Sequence, residues 1–394
     1  MFQVFEINSI AELQPYRLVW QELWMRGRQQ RFQMTLDWLE AYWQARSDDR
    51  ELKVLFAVLG NKVIGILPLV VKQSATRLGP VRVLTYPLDN LGNWYGPIGP
   101  NSAATLAACL RYLSGNRQGW DLLDLPYIDR DRVDLARTAT SMRNIGWKPV
   151  ERAWNQVAGI EFEGTWEEFL GRKRSEVREA VDAADADCRD RGLLRFEHAR
   201  SDADDPTSQE NTERLLQRCL KLADEDSRDV LHSTSLQAAE RDCLDVGVLT
   251  LDGQPVAGAV SLMHRDGLEV VSLFAEDIAG IPRHSLLSVL MQHLLKASCG
   301  LGDSAVEIRM VDRDVEQAAK LWSNHQLRSY RYTTCPLSHV RAALLVNYHA
   351  VRAPRLKFTP QRRATVASRP KLKSAPPASE KAPVSAGPGL RIYR

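Results

Sequence analysis

"SLFAEDIAGIPRHSLLSVLMQHLLKAS", residues 272–298, decides the fold. An apolar strand over residues 270–275 stops at the acidic pair Glu276 and Asp277, and a short turn passes Gly280. A strongly apolar helix then starts between Pro282 and Ser285. The first backbone N–H groups of such a helix have no partners within it. Together with the helix dipole they form an anion site wherever the entering loop leaves room. Arg283 and His284 add positive charge there, and Ser285 caps the helix or donates to the anion.

Working outward, the same ordering occurs twice. "LKVLFAVLGNKVIGILPLVV" (residues 52–71) and "GVLTLDGQPVAGAVSLMH" (247–264) each join two apolar, β-branched runs through a turn, Gly60-Asn61 or Asp252-Gly253. Each carries a glycine, Gly65 or Gly258, at the same place in its second run. Both read as β-hairpins. The first leads into the strand "VRVLTY", a helix near "SAATLAACLRYLSG", the strand "WDLLDL", a helix near "DRVDLARTATSM" and the segment "NIGWKPVERAW". The second leads into "LEVVSLFAE", "HSLLSVLMQHLLKAS", "SAVEIRM", a helix near "DVEQAAKLW" and "NHQLRSYRYTT". Two copies of one hairpin, strand, helix, strand, helix, strand unit predict an α/β fold of two lobes, 1–160 and 161–351, with mixed sheets flanked by helices.

The material in front of each unit differs. "AELQPYRLVWQELWMRG" and "TLDWLEAYWQAR" have the spacing of amphipathic helices. "TWEEFLGRKRSEVREAVDAADADCRDRG" (165–192) opens on the capping pair Thr165 and Glu168 and continues as one long charged helix. Its cluster "RKRSEVR" reads either as a solvated face laced with i, i+4 ion pairs or as a contact for an anionic substrate. The acidic loop "SDADDPTSQEN" then leads to the helix "TERLLQRCLKLADED".

Charge is unevenly distributed. From Arg352 onward eleven Lys and Arg face one acid, Glu380, so an overall charge of +3 leaves the rest of the chain at −7. This segment, 352–394, is rich in Pro, Ala, Ser and Lys and too poor in large apolar residues to offset its ordering entropy, which predicts disorder. It reads as a solvated extension or as an electrostatic contact for an acidic partner, membrane surface or polyanion. The acidic remainder argues against nucleic-acid binding. No stretch approaches the roughly 20 apolar residues of a membrane span. The amino terminus lacks a signal-like pattern, so a cytoplasmic protein is expected. Six scattered cysteines and eight dispersed histidines show no ligand spacing, so no metal is expected. Walker, GxGxxG and GxSxG motifs are absent from the sequence.

The repeated unit resembles the GNAT acetyltransferase fold in its tandem, FemAB-like form. "TLDWLEAYW", "VIGILPLVV", "NWYGPIGP", "WDLLDLPYI", "WEEFLGRKRSEVREAV" and "GVLTLDGQPVAGAVSL" are, in their order, similar to the CelD/BcsL-type acetyltransferase-like proteins of bacterial cellulose and exopolysaccharide synthesis. The resemblance covers residues 2–334. It implies acetyl-CoA or another acyl-CoA as cosubstrate, its pantetheine along Ser272, Leu273 and Phe274 and its pyrophosphate at Arg283, His284, Ser285 and Leu286.

Two departures stand out. "PRHS" has no glycine to bring the backbone close to phosphates. Trp322 occupies the segment where these enzymes often place a tyrosine acid, which leaves Tyr330 and Tyr332 as substitutes. Glu269, Glu276 and Asp277 are the general-base candidates, although Asp277 equally caps the turn. In "DNLGNWYGPIGP" (89–100), Asn93, Trp94 and Tyr95 form either a substrate or sugar platform or a packed structural loop.

The implied activity is acyl-CoA-dependent N- or O-acetylation of a small-molecule or saccharide acceptor, in cell-surface polysaccharide synthesis. The alternative is a catalytically degenerate scaffold or binding protein of the same fold. Aminoacyl-tRNA as donor is a third reading, weakened by the acidic folded region.

Overall fold

The computed structural model describes residues 2–76, 79–265, 267–335, 343, 344 and 346. The basic segment 352–394, with its expected disorder and acidic partner, lies outside them. The first half of the chain runs β1 (Phe2–Ile7), α1 (Ile10–Leu13), α2 (Arg17–Arg26), α3 (Leu36–Arg46), β2 (Arg50–Leu59), β3 (Lys62–Thr76), β4 (Gly79–Thr85), α4 (Ser102–Gly115), β5 (Leu122–Ile128), α5 (Arg137–Asn144) and β6 (Val150–Glu161). The second half runs α6 (Trp166–Gly171), α7 (Ser175–Arg189), β7 (Leu194–Arg200), α8 (Pro206–Leu220), α9 (Glu225–Ala239), β8 (Leu244–Leu251), β9 (Gln254–His264), β10 (Gly267–Ala275), α10 (Arg283–Gly300), β11 (Ala305–Met310), α11 (Arg313–Trp322) and β12 (His325–Thr334).

All twelve strands form one sheet, ordered β1-β2-β3-β4-β5-β12-β6-β11-β10-β9-β8-β7. Read from either edge inward, the order describes the same unit, and the two units trade their last strands. β12 inserts beside β5, β6 inserts beside β11, and the exchanged strands pair antiparallel at the centre. α3 and α9, which precede the equivalent hairpins, pack against each other across the same centre. The repeat is therefore longer than its sequence signature, since it also includes an edge strand and the helices before the hairpin.

Several local differences from the sequence reading have physical causes. The charged stretch 165–192 is two helices. The capping box at Thr165 and Glu168 starts α6, Gly171 ends it, and Lys173 donates to Trp322 O at 2.5 Å. α6 buries Trp166 and Phe169, whereas α7 buries Val181, Ala184 and Cys188. The acidic "loop" already contains the start of α8, with Asp205 as N-cap and Pro206 in the first turn.

Gly65 and Gly258 are not equivalent. Leu59 pairs with Lys62 and Ala57 with Gly65, whereas Leu251 pairs with Gln254 and Val248 with Gly258. One residue of offset puts the two glycines on opposite faces. Gly65 admits Thr105 of α4, and Gly258 admits Cys219 of α8. A methyl group on Gly65 overlaps Thr105 Oγ1 and comes within 3.0 Å of Ile98 O. Gly65→Ala is thus expected to cost about 1–3 kcal/mol in chemical denaturation, by forcing α4 off the sheet.

The core has two main parts. One runs through the first half and under α8 and α9, reaching Val246, Val260 and Leu262. The other lies between the opposite face of the second-half strands and helices α10 and α11. There Leu268, Val270, Val306 and Ile308 meet Leu286, Leu290, Leu294 and Trp322. α10 is apolar on nearly every side because it is buried on nearly every side.

Candidate functional site

β10 and β11 run parallel and in register only over residues 267–270 of β10, from Gly267 opposite Ala305 to Val270 opposite Ile308. Val271 is then bulged out of the β9 ladder, after which Ser272, Leu273, Phe274 and Ala275 pair with β9 alone. Arg309 and Met310, at the end of β11, follow β6 instead. The two strands diverge here, and among the described residues the β11 side of residues 272–275 has no strand partner. Residues 267–271 are buried, but 272–275 are only partly so. This is an open edge.

The open edge leads to the start of α10. Glu276 and Asp277 are exposed in the connecting turn, which closes with Ile281 N–H donating to Ile278 O at 3.0 Å. Gly280 takes φ +80° there, and a methyl on it would collide with the Arg191 guanidinium lying alongside. The N-cap of α10 is Pro282, which offers no side-chain cap. Ser285 N–H reaches back to Pro282 O at 2.9 Å. The N–H groups of Arg283 and His284 belong to the unsatisfied first turn.

Gly280 lies three residues before Arg283, and Arg283, His284 and Ser285 are half-buried. Arg283 itself turns aside, 2.9 Å from Asp312 Oδ2 and 3.4 Å from Asp314 Oδ2 at the start of α11. Leu286 is fully buried, and its N–H donates to Pro282 O at 3.4 Å.

Beneath the point of divergence, on the face away from α10, lies a buried charge cluster. Glu269 and Glu307 are direct neighbours across β10 and β11. Arg31, from the segment after α2, donates to both, at 2.6 Å to Glu269 Oε2 and 2.8 Å to Glu307 Oε2. Asn93 N–H donates to Glu269, and Trp94 Nε1–H to Glu307 at 2.7 Å. Arg132 reaches Glu307 Oε1 at 3.2 Å and lies over the Trp94 ring. Arg309 donates to the backbone carbonyls of Asn90 and Gly92. Burial alone would raise the Glu307 carboxyl, but Arg31, Arg132 and Trp94 hold it down at about 2. Glu269, a candidate base in the sequence, is therefore locked in an ion pair at 1% side-chain exposure.

The loop 89–100 thus docks the first half of the chain on the second. Asn93, Trp94 and Tyr95 are all buried. Trp94 is engaged by Glu307 and Arg132, the Tyr95 ring lies against Tyr86, and Asn93 donates its backbone N–H to Glu269. They do not form an open platform.

Strand exchange also moves the tyrosines. Tyr330 pairs with Ile128 of β5, with the Arg130 guanidinium over its ring, and Tyr332 is fully buried in the centre of the sheet. β12 lies three strand positions from β10, roughly 14 Å. Tyr330 and Tyr332 are therefore not beside the groove. β11 and then β6 lie between them and β10. Trp322 is a core residue with its ring tilted against Trp166.

Sequence reasoning missed Arg31, Arg132, Glu307 and Arg191. The usable signal was a glutamate in the middle of each apolar strand, "LEVV" and "AVEIRM", because a charge there must find a buried partner.

Residues 173–322, from just before α7 to the end of α11, match the acetyltransferase (GNAT) domain family. Among curated proteins none matches the sequence. Several solved structures share the fold. FemX is 10% identical, with 88% of this chain and 100% of that chain covered and a TM-score of 0.53. A C-terminal domain assigned to a lysylphosphatidylglycerol synthetase of Agrobacterium fabrum is 11% identical over 88% of this chain and 99% of that one, with a TM-score of 0.50. A tandem GNAT protein from the clavulanic acid biosynthesis pathway is 11% identical over 84% and 98%, with a TM-score of 0.48. The open edge of β10 and the start of α10 both lie within the residues that match this family.

Proposed function

We propose that the protein is an acyltransferase that takes its acyl group from acyl-CoA bound in the β10–α10 groove. The observation that carries this reading is the parting of β10 from β11 at Val271, which leaves a half-exposed strand edge running into an uncapped helix start. The edge at Ser272, Leu273 and Phe274 is suited to the amides of pantetheine. The first turn of α10, at Arg283, His284 and Ser285, is suited to the pyrophosphate, with Arg191 beside the entering turn. Acyl-CoA supplies the activated carbonyl. The chain supplies orientation and a proton acceptor, for which exposed Glu276 and Asp277 at the groove mouth are our candidates.

We read the chain as two repeats dividing at residues 160 and 161, the second holding the donor. The acceptor we place among amines or hydroxyls, in line with the resemblance to polysaccharide-associated acetyltransferases. A binding module without turnover is the second reading, favoured by Arg283 being tied to Asp312 and Asp314 and by the distance of the tyrosines from the groove.

Thermal unfolding with coenzyme A and acetyl-CoA tests the donor site. At a hundred times the dissociation constant, stabilisation of about 2.7 kcal/mol is expected. No stabilisation by either compound removes the donor site. Stabilisation without transfer to any amine or sugar selects the binding module.

A further inference from the structure

The exchange of last strands gives the first half of the chain a second cleft in the position equivalent to the β10–α10 groove. β4 and β5 pair only at Val83 with Leu122 and Leu84 with Leu123 before parting, and α4 starts behind the gap. Part of this gap is filled by the loop 89–100, whose Tyr95 N–H bonds Tyr127 O at 2.8 Å. What remains is a cavity of about 30 Å³ lined by Tyr86, Tyr95, Ser102, Asp129, Asp134 and Thr138.

We propose that this cavity is a binding site for the ammonium end of a primary amine. Size is the first reason, since such a volume admits one or two water-sized groups, so that an ammonium enters while the body of its ligand stays outside. The second is an unused polar group: Tyr86 is 1% exposed and its hydroxyl has no hydrogen-bond partner among the described residues. Such a group is costly to bury unless something completes it.

The third reason is charge. The start of α10 has Arg191 beside its entering turn and Arg283 tied to Asp312 and Asp314, whereas this cavity is lined by two carboxylates. Asp129 accepts from Arg132 N–H and Nε, and Asp134 accepts from the Thr138 N–H and hydroxyl, which leaves lone pairs on both. Burial raises both carboxyls in spite of Arg132 beside Asp129 and Arg137 beside Asp134. The cationic lining residue Arg28 is exposed, at the rim. The paired Tyr86 and Tyr95 rings, 4.9 Å apart, add aromatic surface that favours a cation. This inference does not depend on acyl transfer.

The test is titration calorimetry on the full chain with ethanolamine and glucosamine, and with ethylene glycol and glucose as their ammonium-free counterparts. Both amines are expected to bind at least about tenfold more tightly than their counterparts. Tyr86→Phe, which keeps the ring, is expected to weaken the amines several-fold and to leave coenzyme A binding unchanged. Asp134→Asn is the less clean variant because Asp134 also holds Thr138. Equal binding of charged and neutral probes, no binding of the amines, or unchanged amine affinity in Tyr86→Phe overturns the proposal. So does a soaked crystal in which only water joins Tyr86 to Asp134.

Discussion

Arg31→Met is expected to lower the unfolding free energy by about 3–5 kcal/mol, because it strips the shared cation from two buried carboxylates that remain in place. Arg31 has 11% side-chain exposure, Glu269 1% and Glu307 9%, so water cannot replace the lost guanidinium. For a chain of this size the thermal midpoint should fall by roughly 5–10 °C. The same change made together with Glu269→Gln and Glu307→Gln should recover much of the loss, since neutral amides leave no uncompensated charge. Equal losses in the single and triple variants would show that the arginine acts by packing alone.

The pH dependence has a definite sign. Glu307 has a folded-state pKa of about 2, below its ordinary 4.5, so the unfolded chain binds the extra proton between those values. Its contribution to stability is complete above about pH 4.5 and fades as the pH falls toward 2. In Arg31→Met the Glu307 carboxyl loses the largest of the charges that hold it down, so less of this contribution is there to lose. Urea titrations of both proteins should therefore show the gap between them narrowing as the pH falls from about 4.5 toward 2. A constant gap would mean that Glu307 does not sense Arg31.

These residues also mark the limit of what the sequence reveals. The hairpins, the strand before α10 and the span of α4 are legible because local signals set them: period-two apolar runs, two-residue turns, and an apolar helix following a short loop. The groove was legible for the same reason, since both its walls lie within the one stretch 272–298. The partners of Glu269 and Glu307 were not, because Arg31 is 238 residues from one and 276 from the other. Nor does any local signal tell a final strand which half to join. "NHQLRSYRYTT" pairs equally well in pattern with either neighbour, and its insertion beside β5 carries Tyr330 and Tyr332 out of reach of the groove. Trp94 and Tyr95 looked like a platform because composition does not reveal whether an aromatic loop faces solvent or another part of the chain.

Ser285→Asp is expected to move stability and donor binding in opposite directions. Ser285 sits in the first turn of α10, where a carboxylate interacts favourably with the helix dipole by about 0.3–1 kcal/mol, so the unliganded protein should melt slightly higher. The same carboxylate occupies the positive end that the proposed pyrophosphate needs. Unit charges about 5 Å apart at a half-exposed site repel by roughly 1–3 kcal/mol, which weakens coenzyme A binding at least about tenfold. Ser285→Ala removes only a hydroxyl and should change affinity by a few-fold at most. Calorimetric titration with coenzyme A alongside a thermal melt separates the possibilities. A variant that melts higher and loses the ligand places the anion at the start of α10. One that melts higher and binds as before excludes a phosphate from that end of the groove, even if pantetheine still lies along β10.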